Sequence, residues 1–189
     1  DSVTGEALDI VSGFQVAGSS DKEFKERIAR EACPGFGSCG GMFTYNTMQT
    51  FIGVVGMQPL HMVSPPSDDA RRINSFPPEL IGYLANLIKD QVLPRDIVTR
   101  DAIRNAMIVA MSVGGSTNVL LHAPEIARAA GFKSFAEDIM SPEEFNYLSQ
   151  ELVPVLIDAR PFGKYSMLDI DKKGGVQVIV KELIEVGLI

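Results

Sequence analysis

Cysteine is scarce in this chain of 189 residues: there are two, Cys33 and Cys39. Two thiols spaced C-x5-C cannot build the multi-bridge framework of a small secreted domain. They read as free thiols, as metal ligands, as a redox pair or as small buried hydrophobes. Long apolar runs are lacking too. None approaches the roughly 18 residues that a membrane-spanning helix requires. A basic surplus is also lacking. The net charge is −7, and binding phosphates calls for a basic face, so nucleic acid is not an expected partner. The opening DSVTGEALDI carries neither the basic nor the apolar region of a secretory signal. These absences lead us to expect a cytoplasmic protein, or one of an organelle matrix (mitochondrion or plastid), with no membrane partner. Neither an internal repeat nor a low-complexity tract is present.

What is there suits a sizeable core: 46% of the residues are hydrophobic. Apolar residues recur at helical spacing in most segments. Residues 5–31 read as two helical pieces broken near Gly18-Ser19-Ser20. Asp21 is placed to cap DKEFKERIAREA, with Phe24, Ile28 and Ala32 on one face. A helix is expected from Phe43 to about Val55, with Thr47, Thr50, Phe51 and Val54 on one side and Gly56 at its end. Residues 58–78 hold Pro59, Pro65, Pro66, Pro77 and Pro78, so a mostly irregular surface excursion is expected there. ELIGYLANLIKDQVL follows as an amphipathic helix striped by Leu80, Leu84, Leu87 and Ile88.

Thr99 should cap DAIRNAMIVAMSV, apolar on most sides and so buried on most sides. Gly114-Gly115 stops it, and Ser116 or Thr117 can cap the next helix, NVLLHAPEIARAA. Ser141-Pro142-Glu143-Glu144 has the form of a reciprocal capping box. VPVLI at 153–157 suits a buried strand. Gly174-Gly175 precedes a last helix, VQVIVKELIEVG.

Two glycine-rich turns carry the chemical interest. In CPGFGSCGG, residues 33–41, glycine lets the backbone approach a ligand closely. Such a loop around a thiol can wrap an iron–sulfur cluster, although one or two thiolates cannot complete it. In GGST, residues 114–117, backbone N–H groups and two hydroxyls at a helix start can receive a carboxylate or phosphate, or can simply cap the helix. His122, on an otherwise apolar helix, reads more readily as a hydrogen-bonded core residue than as a ligand. His61 has no evident partner. Asp68-Asp69 and Arg71-Arg72 read as a solvated charged patch of little energetic weight.

Taken together, ACPGFGSCGGMFTYNTM and MSVGGSTNVLLHAPEIARAAG resemble two signatures of the dihydroxy-acid and phosphogluconate dehydratase family, in the right order. LPRDIVTRDAIRNAM and RPFGKYSMLDIDKKGGVQVIVKELIEVGLI resemble further family segments, so the likeness covers nearly the whole chain. The resemblance implies a hydro-lyase that turns a 2,3-dihydroxy acid into a 2-keto acid. It implies an iron–sulfur cluster on three cysteines with one iron left open, and a magnesium ion that holds the substrate. The two-iron cluster is favoured over the four-iron form. Cys39 matches one cluster cysteine and is the expected metal ligand; Cys33 matches a motif position that is not a ligand. Gly40, Gly41 and Met42 match the wall of the cluster pocket. Thr44, Asn46 and Thr47 match the start of the following helix, and Tyr45 stands where a small residue is usual. Ser116 and Thr117 are the candidate substrate-binding pair.

The resemblance also implies that this chain is an internal piece of a longer enzyme: the family's upstream Cys-Asp-Lys segment and its C-terminal domain, with the catalytic base, are not in it. The chain is therefore expected to be the core of an N-terminal, cluster-binding domain, a single domain over 1–189, and inactive by itself. The expected fold is α/β, a helix-rich layered domain around a small, mostly parallel sheet. GGMFT leans towards the branched-chain-amino-acid enzyme over the sugar-acid enzymes, and a homodimer is expected. Two other readings stay open. One is a non-catalytic scaffold or dimerisation module, with the helix at 101–113 packing on a partner. The other is a redox pair of Cys33 and Cys39, which leaves GGSTN without a role.

Overall fold

The computed structural model describes residues 1–6, 8–32 and 40–189. Among them the architecture is helical. The helices run α1 (Ile10–Gln15), α2 (Lys22–Glu31), α3 (Thr44–Val55), α4 (Ala70–Asn74), α5 (Phe76–Lys89), α6 (Pro94–Ile97), α7 (Arg100–Ser112), α8 (Val119–Ala129), α9 (Phe135–Asp138), α10 (Pro142–Tyr147), α11 (Met167–Lys172) and α12 (Val176–Glu185). A 3-10 turn spans Leu60–Met62 and a π-helical turn spans Leu148–Leu152.

The expected small parallel sheet is not found among the described residues. Among the described residues the one β feature is an isolated parallel bridge between Ala159 and Tyr165. VPVLI is irregular backbone, and Leu156 N–H donates to the Ser112 carbonyl at the end of α7, 2.8 Å away. Val153 is buried, but Val155 and Leu156 face solvent. A strand needs a neighbouring strand to pair with, and this segment lies beside a helix end instead.

The layout is organised around α7, which packs chiefly on α3 and also meets α8 and α12. Thr99 caps it as expected, its hydroxyl accepting from Ala102 N–H at 3.2 Å. Ile103, Ala106, Met107, Ile108, Val109, Ala110 and Ser112 are buried. An apolar helix with its faces covered in this way has no free side to offer a partner, contrary to the scaffold reading. One hydrophobic cluster holds Phe51, Ile103, Met107, Ala123 and Leu148; a second holds Met42, Val109, Met167, Val176 and Leu183. Val54 and Ile189 touch both.

Local signals held at several helix ends. Asp21 accepts from Phe24 N–H, and Gly56, in a left-handed conformation, closes α3. Ser141 caps α10 by accepting from Glu144 N–H. Glu144 turns to Arg104, 2.8 Å away, in place of the reciprocal half of the box. α5 starts at Phe76, earlier than expected, because Pro77 and Pro78 fall in its first turn, where no intrahelical N–H donor is needed.

The proline-rich stretch is less of an excursion than its composition suggests. Met62, Val63 and Ser64 are buried, as is Phe76. Ser64 Oγ accepts from Val176 N–H at 3.1 Å and so satisfies the N-terminus of α12. Arg71 bridges Asp69 (2.8 Å) and Asp171 (2.6 Å), and Arg72 Nε donates to the Pro65 and Pro66 carbonyls at 2.9 Å. The expected solvated patch is thus a clamp between α4 and α11. The Arg71 guanidinium holds the Asp69 carboxyl down at about 2. His61 does have partners: Nε2 lies 3.1 Å from Glu79, and the ring meets Phe76 edge-on at 5.8 Å.

Candidate functional site

The two glycine-rich turns, far apart in sequence, meet at the N-terminal ends of α3 and α8. Cys33 and Cys39 lie outside the described residues, so the site is built from Gly40 onward. Gly40 is exposed, and open space surrounds the place where a side chain would begin. Its carbonyl accepts from Met167 N–H at 2.7 Å. Gly41 is buried and cannot be replaced without displacement. A Cβ there would stand 2.9 Å from the Arg160 carbonyl oxygen and 2.7 Å from Phe43 Cε2. Met42 N–H donates to that same Arg160 carbonyl at 2.7 Å. The Met42 side chain is sealed in the second hydrophobic cluster, so this residue lends the loop its backbone.

α3 then locks the loop from below. Asn46 Nδ2 donates to the Gly41 carbonyl at 2.6 Å. Thr47 Oγ1 donates to the Met42 carbonyl at 3.4 Å and accepts from Ser116 N–H at 2.9 Å. Thr47 is thereby the hinge between the two turns. Gly115 is required beside it: a Cβ would lie 2.8 Å from both the Ala110 carbonyl oxygen and Thr47 Cγ2.

At the surface the contact is made by hydroxyls. Thr44 Oγ1 and Ser116 Oγ are 3.2 Å apart, and Asn118 Nδ2 donates to Thr44 Oγ1 at 2.7 Å. With Thr44 donating onward to Ser116, the hydroxyl hydrogen of Ser116 is left for an outside oxygen acceptor. The cluster contains no charged side chain, so any anion it receives would be held by oriented dipoles.

The helix start differs from the sequence expectation. α8 begins at Val119 after Asn118, and neither Ser116 nor Thr117 occupies the cap position. Several N–H groups that an anion site would use are bonded internally. Ser116 N–H goes to Thr47, Asn118 N–H to Ser116 Oγ, Val119 N–H to the Ser116 carbonyl and Leu120 N–H to the Thr117 carbonyl. Thr117 is exposed at this turn. Binding here therefore rests on side chains more than on the helix end.

Thr44 also forms one end of a surface groove between α3 and α8, walled by Tyr45, Met48, Gln49, His122 and Glu125. His122 was expected in the core but is exposed. The residues α8 buries are Val119, Ala123 and Ala127, four apart, and His122 falls on the flank of that stripe. Tyr45 is exposed and lines the groove; it fills no void.

Behind the loop, Arg160 pairs with Asp9 at 3.2 Å and donates to the Leu8 carbonyl, tying the N-terminal segment to the site. Asp169 accepts from both the hydroxyl and the N–H of Ser166, which holds its carboxyl below the usual range. Nothing in the sequence pointed to Arg160. Asn118 stood in the GGSTN motif without an assigned role.

Among the described residues, no group of three or more His, Cys, Asp or Glu is placed to hold a metal ion. No helix among them is long and apolar enough to cross a membrane.

Comparison with known proteins matches residues 5–189 to the family described as dihydroxy-acid/6-phosphogluconate dehydratase, N-terminal. The chain is 40% identical to the chloroplastic dihydroxy-acid dehydratase of Arabidopsis thaliana, over 95% of its own length and 29% of that protein's. It is 39% identical to the mitochondrial dihydroxy-acid dehydratase pbrD of Penicillium brasilianum, over 100% and 31%. It is 38% identical to the dihydroxy-acid dehydratase of a Nocardioides species, over 98% and 32%. The chain thus spans about a third of the length of the curated relatives it matches.

Proposed function

Because the chain belongs to the dihydroxy-acid/6-phosphogluconate dehydratase N-terminal family, we propose that it forms one wall of a hydro-lyase site that converts a 2,3-dihydroxy acid into a 2-keto acid. The observation that carries this reading is the joining of the two turns by Thr44, Thr47, Ser116 and Asn118. That junction gathers the hydroxyls of Thr44 and Ser116 beside the turn at Gly41–Met42, and Cys39 stands two residues before Gly41 in the sequence.

The residues present fit part of an iron–sulfur site. Gly40 leaves open space, and Gly41 lets the loop lie against the Arg160 carbonyl. The donor set is short: Cys39 is one thiolate, and a cluster needs several. The described residues assemble no group for magnesium either. Cys39 is accordingly assigned as one ligand among others supplied from elsewhere. A two-iron cluster and a magnesium ion remain the cofactors of this reading. When bound, a cluster with an open iron supplies Lewis-acid pull on the leaving C3 hydroxyl.

This chain's own part is to bind and orient. Ser116 Oγ donates to an oxygen of the substrate carboxylate. Thr44 and Asn118 hold Ser116 in that orientation. Thr117, exposed beside it, offers a second hydroxyl. Asn46 and Thr47 fix the Gly41–Met42 backbone against the Ser116 turn, so that a bound acid meets one arrangement of donors. A fixed arrangement is what lowers the entropic barrier of such a reaction. The groove walls Tyr45 and His122 narrow the access of water. The relatives are named for a dihydroxy acid, and the GGMFT form supports a branched one over a sugar acid; homodimeric assembly belongs to the same reading.

A chimera tests it, with residues 5–189 replacing the matched third of the Arabidopsis thaliana relative. Keto-acid release, iron and acid-labile sulfide are measured after anaerobic purification, with a branched dihydroxy acid and a sugar acid compared. Cys39→Ser is expected to remove the iron and the turnover. Ser116→Ala is expected to raise KM about tenfold with the iron retained, the loss of one hydrogen bond to a charged group. Full iron content in the Cys39→Ser chimera would remove the ligand assignment. The 189-residue chain alone, holding one thiolate of the set, is expected to release no keto acid.

A further inference from the structure

The polar groups of Arg160 reach three separate segments around the Gly41–Met42 turn. Its N–H donates to the Tyr165 carbonyl at 2.9 Å, inside the loop it belongs to. Its carbonyl accepts from Met42 N–H at 2.7 Å. Its guanidinium reaches back to the N-terminal segment, where Nη1 lies 3.2 Å from both the Leu8 carbonyl and Asp9 Oδ2. The Arg160 and Asp9 side chains are 18% and 21% exposed, so water competes with this pair less than at an open surface.

The loop at 158–165 depends on such ties for its position. Tyr165 N–H donates to the Asp158 carbonyl at 3.0 Å and Gly163 N–H to the Ala159 carbonyl at 2.8 Å. A side chain at Gly163 would collide with the Asp158 backbone. These features set the shape of the loop, but they are internal to it. Phe162, at its tip, is 98% exposed, so packing there anchors nothing. The guanidinium fastens the loop to Asp9, whose other carboxyl oxygen caps α1 at 2.9 Å from Val11 N–H. In the same N-terminal segment Ser2 N–H donates to Glu31, the last residue of α2, at 2.6 Å. Glu31 and Met42, on either side of the two cysteines in sequence, are thus both tied into one set of contacts that passes through Arg160.

We propose that Arg160 is a positioning residue for the dehydratase reaction: its guanidinium, held by Leu8 and Asp9, fixes the carbonyl on which the Gly41–Met42 turn rests. The effect on turnover rests on the dehydratase reading; the effect on the turn does not.

Two measurements test it, with Arg160→Gln, Asp9→Asn and the double variant. Asp9→Asn keeps an oxygen to cap α1 and turns an amide donor against the guanidinium. In the 189-residue protein, the Met42 amide is expected to exchange about tenfold faster in each variant, while amides of 103–110 in α7 keep their wild-type rates, the mark of a local opening. In the Arabidopsis thaliana chimera, turnover per iron is expected to fall about tenfold in Arg160→Gln, the cost of a displaced group outside the chemistry. Asp9→Asn is expected to match it, and the double variant to fall no further, because both residues act through one contact. Arg160→Lys, which keeps the charge, is expected to recover part of the loss. Unchanged exchange at Met42, or Met42 and α7 amides accelerating together, would overturn the proposal. So would additive losses in the double variant, or unchanged turnover per iron in Arg160→Gln. A wild-type chimera without turnover would instead overturn the dehydratase reading, and exchange at Met42 would still decide for or against the tie.

Discussion

α5 and α7 are both long, mainly apolar helices in sequence, and the fold treats them in opposite ways. α7 is enclosed by α3, α8 and α12, with Ile103, Met107 and Ile108 fully out of contact with solvent. α5 leans on α4 and keeps Ile81, Leu84 and Ile88 in the open. Apolar content demands a cover; it does not say that the same chain provides it. The difference lies in connection geometry. The tight turn at Gly114–Gly115 brings α8 back onto α7, and α3 reaches it from a distant part of the chain. The proline-rich stretch before α5 is anchored inward through Met62, Val63 and Phe76, which leaves the helix to project from that anchor.

Substitutions sharpen the contrast, and the largest effect belongs to α7. Ile103→Ala is expected to lower unfolding stability by about 2–5 kcal/mol, through lost burial and an unfilled cavity. At roughly 2–4 °C per kcal/mol for a chain of this size, Tm should fall by many degrees in calorimetry. A loss below about 1 kcal/mol would mean that α7 is not the packed centre. Next comes the hinge between the two turns. Thr47→Val keeps the shape and removes the acceptor of Ser116 N–H, at an expected cost of about 1–3 kcal/mol in urea unfolding. The companion Ser116→Ala, at the partly exposed end of the cluster, should cost less than that.

α5 should answer differently. Leu84→Ala is expected to change the unfolding free energy of the monomer by less than about 0.5 kcal/mol, as at an ordinary surface position. The corresponding truncation in α7, Ile103→Ala, is expected to cost several times more, so an equal loss at both sites would erase the comparison. The smallest effect is electrostatic. Asp69 has its carboxyl lowered from 3.8 to about 2 by Arg71. A lowered folded value means that the contribution is complete above about 4 and fades as pH falls through 2. Asp69→Asn, which keeps a capping side chain, should therefore trail wild type slightly at pH 5 and match it below pH 2. A difference growing in acid would reverse the sign of that coupling.

Much of the candidate site was legible, but only in pieces. CGGMFTYNTM and GGSTN each stood out by composition, and Ser116 was named from the second. Their junction was not legible, because Thr44 and Ser116 are 72 residues apart and no periodicity links them. Asn118 sat inside a quoted motif, yet its amide acquires a task only when Thr44 is placed beside it. Arg160 had no signal, since its ties run to Asp9 and to the Met42 N–H through the fold. His122 misled, because apolar neighbours in sequence do not state which flank of a helix is covered. VPVLI misled in the same way. Its β-branched residues favour extended backbone, but a ladder also requires a partner strand.

By itself the sequence determined what a few neighbouring residues can settle among themselves. Thr99, Ser141 and Asp21 cap their helices, and Gly56 closes α3, because each answers a backbone group within a few positions or supplies the one conformation needed there. Only the tertiary structure decided which faces are covered, which turns meet and which charges pair. Those outcomes depend on groups brought together from distant parts of the chain, and each is favourable only after the connecting loops have been closed.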